Sequence, residues 1–424
     1  MRVLQLNVSD YHLSGGTGIA MHRLHTALRK AGVESKILCG LKTLDNSQNI
    51  VKIQRSPTLK IIEKLIKEGI TSQLGLNDIH AISSFNIKKE QVYLDADIVN
   101  LHCIHEGFFS YLLLPSLTES KPAVFTLHDM WAFTGHCSYS YDCDRWQIGC
   151  GKCPYPNSYP PIQRDNTRLE WKLKNWVYNH SNLTIVTPSN WLTKQANQSM
   201  LSCLPIHHIP NGLDTKTYQP LDPEQCRSML SIPAGKKVLI FAASKLNDSR
   251  KGGDLLLKAL QSLPESLKAE TVLLLLGNGG EAIAEITGFQ TLNLGYLSNE
   301  RLMAIAYSAA DLLLFPSRAD NLPVTLQESM ACGTPMVSFK VGGVPDLVRP
   351  GITGYLAEPE NAEDFRDGIV QLLEDEPLRS YMSQQCREIA VKEYSLELYV
   401  QRYIELYRRL LQNGASQTRS NLVA

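Results

Sequence analysis

Two acids eight positions apart, Asp320 and Glu328, stand in the segment Ser317 to Tyr355 between an apolar run and a pair of glycines. The run Asp311-Leu312-Leu313-Leu314-Phe315 ends at Pro316. It reads as a buried parallel strand delivering a loop to the carboxyl edge of a sheet, where open α/β sheets bind ligands. Glu328 then falls on a helix expected over Thr325 to Cys332, stopped by Gly333 and Pro335. A second strand, Pro335 to Phe339, runs into Gly342-Gly343, whose amides can approach a ligand closely. One carboxylate for ribose hydroxyls, with another acid and free amides for a hexose, suits a sugar nucleotide. An ordinary βαβ unit with solvated acids fits the spacing equally well.

Three further groups carry chemistry at expected strand ends. Arg250-Lys251-Gly252-Gly253, with Lys245 within reach of the same loop, enters a helix over Leu255–Leu260 capped by Asp254. Adjacent cations there suit a diphosphate, because they stabilise the charge that builds on a departing nucleoside diphosphate; a solvated basic turn is the alternative. Ser14-Gly15-Gly16-Thr17-Gly18 lies between a strand and a helix amino terminus, where free amides and the helix dipole favour a phosphate. It is not G-x-G-x-x-G and no acid follows at the dinucleotide position, so nicotinamide binding is disfavoured. His128-Asp129 follows a strand, with His102 and His105-Glu106-Gly107 after the preceding one, so acid/base groups converge on one edge.

Cys137, Cys143, Cys150 and Cys153 close on a C-x-x-C pair. Four thiols so near in sequence suit a tetrahedral structural zinc, with disulfides or free thiols as alternatives. Four thiolates leave no open coordination position, so the metal has no catalytic role in that reading. Two basic stretches suit an anionic lipid surface: Leu59, Ile62, Leu65 and Ile66 with Lys60, Lys64 and Lys67, and Arg164, Arg168, Trp171, Lys172, Lys174 and Trp176. A helix packed on its own domain with solvated lysines is the other reading.

The elements that position these groups form two α/β halves. Strands are expected at Val3–Val8, Ser35–Cys39, Ile98–His102, Ala123–Leu127 and Thr184–Thr187, with a mostly helical insertion over 58–89. The second half restarts at Lys237–Ala242 and continues through Val272–Leu276 and Asp311–Phe315. The reading is two Rossmann-like doubly wound domains, 1–212 and 213–395, facing a central cleft, then a helix over 396–412 and a disordered tail from 413. The 424 residues suit two domains. Lys+Arg and Asp+Glu balance at 42 each, so no global field points to nucleic acid. Neither a signal peptide nor an apolar membrane span is read, so a cytoplasmic protein is expected.

In order and spacing, Asn211-Gly212-Leu213-Asp214, Arg250-Lys251-Gly252, Gly295-Tyr296-Leu297 and Asp320 to Glu328 with Gly342-Gly343 resemble the family 4 glycosyltransferases of the GT-B fold, over nearly the whole chain. His128-Asp129-Met130-Trp131, Thr134-Gly135 and the cysteines resemble a bacterial exopolysaccharide, capsule and O-antigen subgroup. The resemblance implies that Glu328 is the second acid of an E-x7-E motif and holds the donor ribose. Asp320 matches the first acid, near the donor sugar, and Asn321-Leu322-Pro323 replaces the usual Gly-Phe-Gly beside it. Lys251 matches the phosphate lysine; Arg250 or Lys245 stands in for its arginine companion. Gly15 and Gly16 lie over the diphosphate, Gly295 lies on the donor side, and His128 is near the reacting sugar. Retention of anomeric configuration with no catalytic metal is implied. The partners implied are a nucleotide-diphosphate sugar and a carbohydrate or lipid-linked acceptor, with peripheral contact at the inner membrane face. A sucrose- or trehalose-type synthase, a phosphorylase, or a silent nucleotide-sugar-binding module are the rivals.

Overall fold

The computed structural model describes residues 1–11, 15–44, 48–280, 283 and 288–423, with the backbone alone for 414–423. It divides into two compact units, one of residues Met1–Pro210 with Tyr399–Ala424 and one of Asn211–Leu398.

In the first unit seven parallel strands form one sheet. They are β1 (Arg2–Ser9), β2 (Glu34–Leu41), β3 (Ile50–Lys52), β4 (Ile98–Leu101), β5 (Ala123–Thr126), β6 (Leu183–Thr187) and β7 (Ile206–His208). Their order is β3-β2-β1-β4-β5-β6-β7. The second unit has β8 (Lys237–Lys245), β9 (Thr271–Asn278), β10 (Gln290–Gly295), β11 (Leu312–Phe315), β12 (Met336–Phe339) and β13 (Gly354–Ala357), in the order β10-β9-β8-β11-β12-β13. In each sheet the winding reverses beside the first strand, between β1 and β4 and between β8 and β11. At such a switch point the loops diverge and leave a crevice at the carboxyl ends of the strands.

Central strands read as unbroken apolar runs because both faces are covered. Alternation within them still divides the core. Val238, Ile240, Val272 and Leu274 enter one apolar cluster, while Leu239, Phe241, Leu273 and Leu275 enter another. The four strands that sequence reading does not foresee, β3, β7, β10 and β13, are the edges of the two sheets. They are short or half-exposed, so no continuous apolar run marks them.

The last helix runs from Leu396 to Val423, past the expected stop, so the segment read as a disordered tail is helical as far as it is described. Tyr399, Tyr403 and Tyr407 recur at helical spacing and are buried. Tyr403 Oη lies 2.9 Å from Thr126 Oγ1 at the end of β5, and Asn100 Nδ2 of β4 donates to Tyr407 Oη at 2.9 Å. These bonds tie the helix to the first sheet.

Candidate active site

At the β8/β11 switch point of the second unit an ionic cluster forms on one carboxylate. Asp248 caps the turn Ser249–Lys251 by accepting from Arg250 N at 2.9 Å. Gly252 follows in the left-handed region, at φ +70°, where a Cβ would lie 1.9 Å from Pro316 O. Only glycine therefore brings this turn against the end of β11. The contact aims Arg250 and Lys251 at the loop after β11. Lys251 Nζ donates to Asp320 Oδ2 at 2.6 Å, and Arg250 Nη1 donates to the same oxygen at 3.1 Å and to Ala319 O at 2.9 Å. Asp320 Oδ1 accepts from Asn321 N at 3.1 Å.

Burial is the largest influence on Asp320 and favours its neutral form, but Lys251 and then Arg250 outweigh it and hold the carboxyl below its usual range. Burial pushes the Lys251 ammonium down, and Asp320 opposes that. Lys251, Arg250 and Asp320 therefore form a charged cluster, with Asp248 Oδ2 3.8 Å from Arg250 Nη2 on its outer side. Arg250, not Lys245, is the companion of Lys251; Lys245 is exposed at the end of β8.

The Gly342-Gly343 turn does something other than expected. Gly343 N donates to Asp320 O at 3.2 Å, and Gly342, at φ +49°, packs so close that a Cβ would lie 1.9 Å from that oxygen. The Gly343 amide is thus spent on shaping the Asp320 loop. Asp254 likewise does not cap its helix: both its oxygens accept from Arg318, at 2.8 and 2.7 Å. Leu322 is buried in the core and Asn321 is buried beside Asp320. The amide of Gly295, at the end of β10, is taken by Asn293 Oδ1 at 3.1 Å.

Glu328 lies on the helix Val324–Ala331, which Gly333 ends close to the expected place. It is buried, and Oε2 accepts from Tyr307 Oη at 3.2 Å. Burial and the neighbouring carboxylate push the Tyr307 phenol far above its usual range, so it remains a donor. A buried carboxylate oriented in this way can receive a pair of vicinal hydroxyls.

In the first unit Gly15 and Gly16 open the helix Gly15–Lys30 beyond β1; Ser14 lies outside the described residues. Across the switch point, Gln5 Oε1 lies 2.8 Å from His102 Nε2, and His102 Nδ1 lies 3.0 Å from His128 Nε2. With the carbonyl oxygen of Gln5 as acceptor, His102 donates from Nε2, so its Nδ1 accepts from His128. The relay leaves Nδ1 of His128 as its lone-pair nitrogen. Burial, only partly opposed by Asp129, pushes His128 down to about 4, so it is a neutral base near pH 7. Beside it His105 Nε2 lies 3.4 Å from Asp129 Oδ2 and 3.2 Å from Cys103 Sγ. Burial opposes the charged ring, yet Cys103 and Asp129 raise His105 well above its usual value. Cys103 was not foreseen; its place two residues before His105 after a strand was the available signal.

Sequence profiles of two glycosyltransferase groups divide the chain between them. "Glycosyltransferase Family 4" matches residues 14–217, and "Glycosyl transferases group 1" matches residues 224–389. The chain belongs to the family 4 glycosyltransferases. It is 23% identical to WcaC of Escherichia coli, a colanic acid biosynthesis glycosyl transferase, over 97% of this chain and 100% of that one. It is 27% identical to the Bacillus anthracis N-acetyl-alpha-D-glucosaminyl L-malate synthase over 49% of this chain and 55% of that relative. Sucrose-phosphate synthase of Thermosynechococcus elongatus shares its fold at TM-score 0.69 and 18% identity, covering 97% of this chain and 100% of that one. Anabaena HepE in complex with UDP-glucose does so at TM-score 0.65 and 16% identity, covering 96% and 100%. The two sheets are those of a GT-B glycosyltransferase.

The glycosyltransferase's cysteine loop rests on the helix Thr167–Asn179. Trp171 Nε1 donates to Trp146 O at 2.7 Å. Lys174 is fully buried: Nζ donates to Trp131 O at 2.8 Å and Thr134 O at 3.2 Å, lies 3.7 Å from the Trp131 ring centroid and 3.9 Å from Glu170 Oε1. Lys174 therefore takes no part in any surface of that basic segment, whereas Arg164, Arg168, Lys172 and Trp176 are exposed. Cys137, Cys143, Cys150 and Cys153 are all free thiols. Gly135 N donates to Cys150 Sγ at 3.2 Å, and His136 Nε2 lies 3.2 Å from Cys153 Sγ. Cys150 and Lys152 both take positive φ around the C-x-x-C turn. Burial pushes the Cys137 thiol up to about 12 and Cys150 up to about 11. The donor set suits zinc in chemistry, yet the four sulfurs are more widely spread than Cys103, His105 and Glu106, whose ligand atoms lie within 4.8 Å of one another. Among the described residues no helix is long and apolar enough to cross a membrane.

Proposed function

We propose that this glycosyltransferase moves a sugar from a nucleoside-diphosphate sugar to a carbohydrate or lipid-linked acceptor, with retention at the anomeric carbon, in surface polysaccharide synthesis. The reading rests on one observation above all: Lys251 and Arg250 converge on Asp320 at the switch point where β8 and β11 diverge. Two cations held there stabilise the charge that builds on the departing diphosphate. Glu328 receives the ribose hydroxyls. The acceptor hydroxyl attacks from the face the diphosphate leaves, so the leaving group takes the acceptor's proton as the new bond forms. His128, a neutral imidazole, accepts a hydrogen bond from a sugar hydroxyl.

Related proteins support a nucleotide-sugar donor and a role in polysaccharide synthesis. WcaC is described in colanic acid biosynthesis, and HepE was solved with UDP and with UDP-glucose. The protein works in the cytoplasm at the inner membrane face, where lipid-linked acceptors reside. Cys137, Cys143, Cys150 and Cys153 would hold a single structural zinc, which would supply only a cross-link to the loop that follows Trp131.

The experiment is transfer from a panel of nucleotide sugars to a lipid-linked acceptor pool, with Glu328→Ala and Lys251→Ala alongside. Binding of nucleotide without turnover on any acceptor leaves a silent binding module. Unchanged binding and transfer in both variants would refute the site assignment.

A further inference from the structure

Just past β4 the chain turns on two consecutive left-handed residues, Glu106 at φ +72° and Gly107 at φ +73°. The second is glycine, but the first carries a side chain in a region that residues with a Cβ seldom enter. Three partners hold the turn in that shape. Asp78, buried and itself at φ +61°, accepts from Gly107 N. Arg55 Nη2 donates to Gly107 O and to Phe108 O, both at 3.1 Å. Tyr159 Oη donates to Glu106 Oε1. Glycine at position 106 would spare the strain. Backbone strain that persists because its surroundings over-determine it clusters at ligand sites.

What this turn presents is a carboxylate. Glu106 is exposed, whereas Cys103 and His105 of the same loop are buried. A Glu106 oxygen lies within 4.8 Å of Cys103 Sγ and of a His105 ring nitrogen, and His105 Nε2 is 3.4 Å from Asp129 Oδ2. Asp129 follows His128, so Glu106 stands at the same sheet edge as the imidazole assigned to the reacting sugar. Tyr159 stands beside it, 49% exposed and edge-on to the His105 ring at 6.1 Å between centroids. With its hydroxyl committed to Glu106, its ring face offers an apolar surface. A carboxylate with acceptor capacity to spare, next to an aromatic face, matches a pyranose, which has hydroxyls on its rim and C–H groups on its face.

We propose that Glu106 and Tyr159 form the subsite for the acceptor's terminal sugar and select a neutral hexopyranose with adjacent hydroxyls over a uronic acid. Glu106 accepts charge-assisted bonds from the hydroxyls, whereas a uronate would meet like charge from Glu106 with Asp129 close behind. Arg55 does not offset that charge, because its guanidinium is held by Glu63 at 3.6 Å and by the two carbonyls. Tyr159 both orients Glu106 and supplies the stacking face. The inference rests on the proposed transfer reaction, since it names the class of that reaction's acceptor, but donor recognition in the second unit does not enter it.

The test is binding of matched soluble probes to the full chain, followed by NMR titration below the micelle-forming concentration. The probes are octyl glucoside and octyl galactoside against octyl glucuronide and octyl galacturonide. The parent should prefer the neutral hexosides about tenfold or more. Glu106→Gln should weaken the hexosides about fivefold and strengthen the uronides, so that the preference disappears. Tyr159→Ala should weaken both classes, and Tyr159→Phe, which keeps the ring, should weaken them less. A merely structural role for Glu106 would lower the melting temperature without moving the preference. A parent that binds none of the probes, a preference unchanged in Glu106→Gln, or one erased by a chelator, which would give the carboxylate to a metal with Cys103 and His105, overturns the proposal. Binding of a nucleoside diphosphate by the same samples tests the transfer reading separately: its absence from the parent fails that reading even where the hexoside preference holds.

Discussion

Lys251 Nζ and Asp320 Oδ2 stand 2.6 Å apart although 69 residues separate them. The acid expected near the donor sugar is also the counter-ion of the cations expected to hold its diphosphate. On the proposed function, an incoming diphosphate would compete with Asp320 for these cations. Asp320→Asn should tighten binding of a nucleoside diphosphate several-fold, measured by calorimetry, and slow product release. Lys251→Ala leaves a buried carboxylate with Arg250 alone, and removing one partner of a buried pair typically costs about 3–5 kcal/mol. Its melting temperature should fall along with its nucleotide affinity.

Glu328 Oε2 accepts from Tyr307 Oη at 3.2 Å, and this bond helps to orient the carboxylate. Glu328→Gln keeps the shape but loses the charge that strengthens its bonds to hydroxyls, worth ~1.5–3 kcal/mol per lost charged bond. Nucleotide affinity should drop about tenfold or more. Tyr307→Phe should lose less, because ribose hydroxyls can replace the phenol. If Tyr307→Phe weakens binding more than Glu328→Gln, the ribose assignment fails.

What the sequence disclosed follows from how local each feature is. Apolar runs announced the central strands, and the loops that follow them brought Arg250, Lys251, Asp320 and Glu328 to one sheet edge. Edge strands such as Ile206–His208 escaped because three half-exposed residues carry no periodic signal. Pairings were also hidden: nothing in the string says that Gly343 serves Asp320, or that Lys174, in a helix that looked basic and exposed, is fully buried over Trp131. Such contacts depend on tertiary distance rather than on spacing.

Burial sets a pH dependence at His128. Its folded value, lowered to about 4, lies below the unfolded value near 6.5. The unfolded chain therefore takes up a proton that the folded chain refuses between those values. Stability is full above about pH 6.5 and is lost as pH falls towards 4. At 1.36 kcal/mol per unit this one group accounts for up to about 3 kcal/mol. Urea unfolding at several pH values should show the fall, and His128→Gln should flatten it. His105, raised rather than lowered, contributes in the opposite window: its share is present below about pH 6.5 and is lost at higher pH.

Lys174 offers a second pH test through its partner. Burial pushes Glu170 up to about 7, with Lys174 the chief opposing charge. Lys174→Met removes that charge, two carbonyl contacts and a ring contact together, so a loss of about 3–5 kcal/mol is expected where Glu170 is ionised. Because the folded Glu170 binds its proton more tightly than the unfolded, and loss of Lys174 moves its value further up, the variant should regain stability as pH falls through that raised value. A melting-temperature deficit that is the same at acid and alkaline pH would show that packing rather than charge carries the effect.

The cysteine loop yields the last prediction. A zinc site needs thiolates, and burial drives Cys137 and Cys150 the other way, to about 12 and about 11. Only a bound cation would reverse that preference. Protein purified under reducing conditions should then carry one zinc per chain, and its loop thiols should resist alkylation until a chelator is added. Cys150→Ser should release the metal and lower the melting temperature, since the loop that Trp171 and Lys174 brace loses its cross-link. Zinc well below one per chain with freely alkylated thiols would instead make the loop's order a matter of the helix Thr167–Asn179 alone. In that case Cys150→Ser should leave the melting temperature nearly unchanged, while Lys174→Met should still lower it.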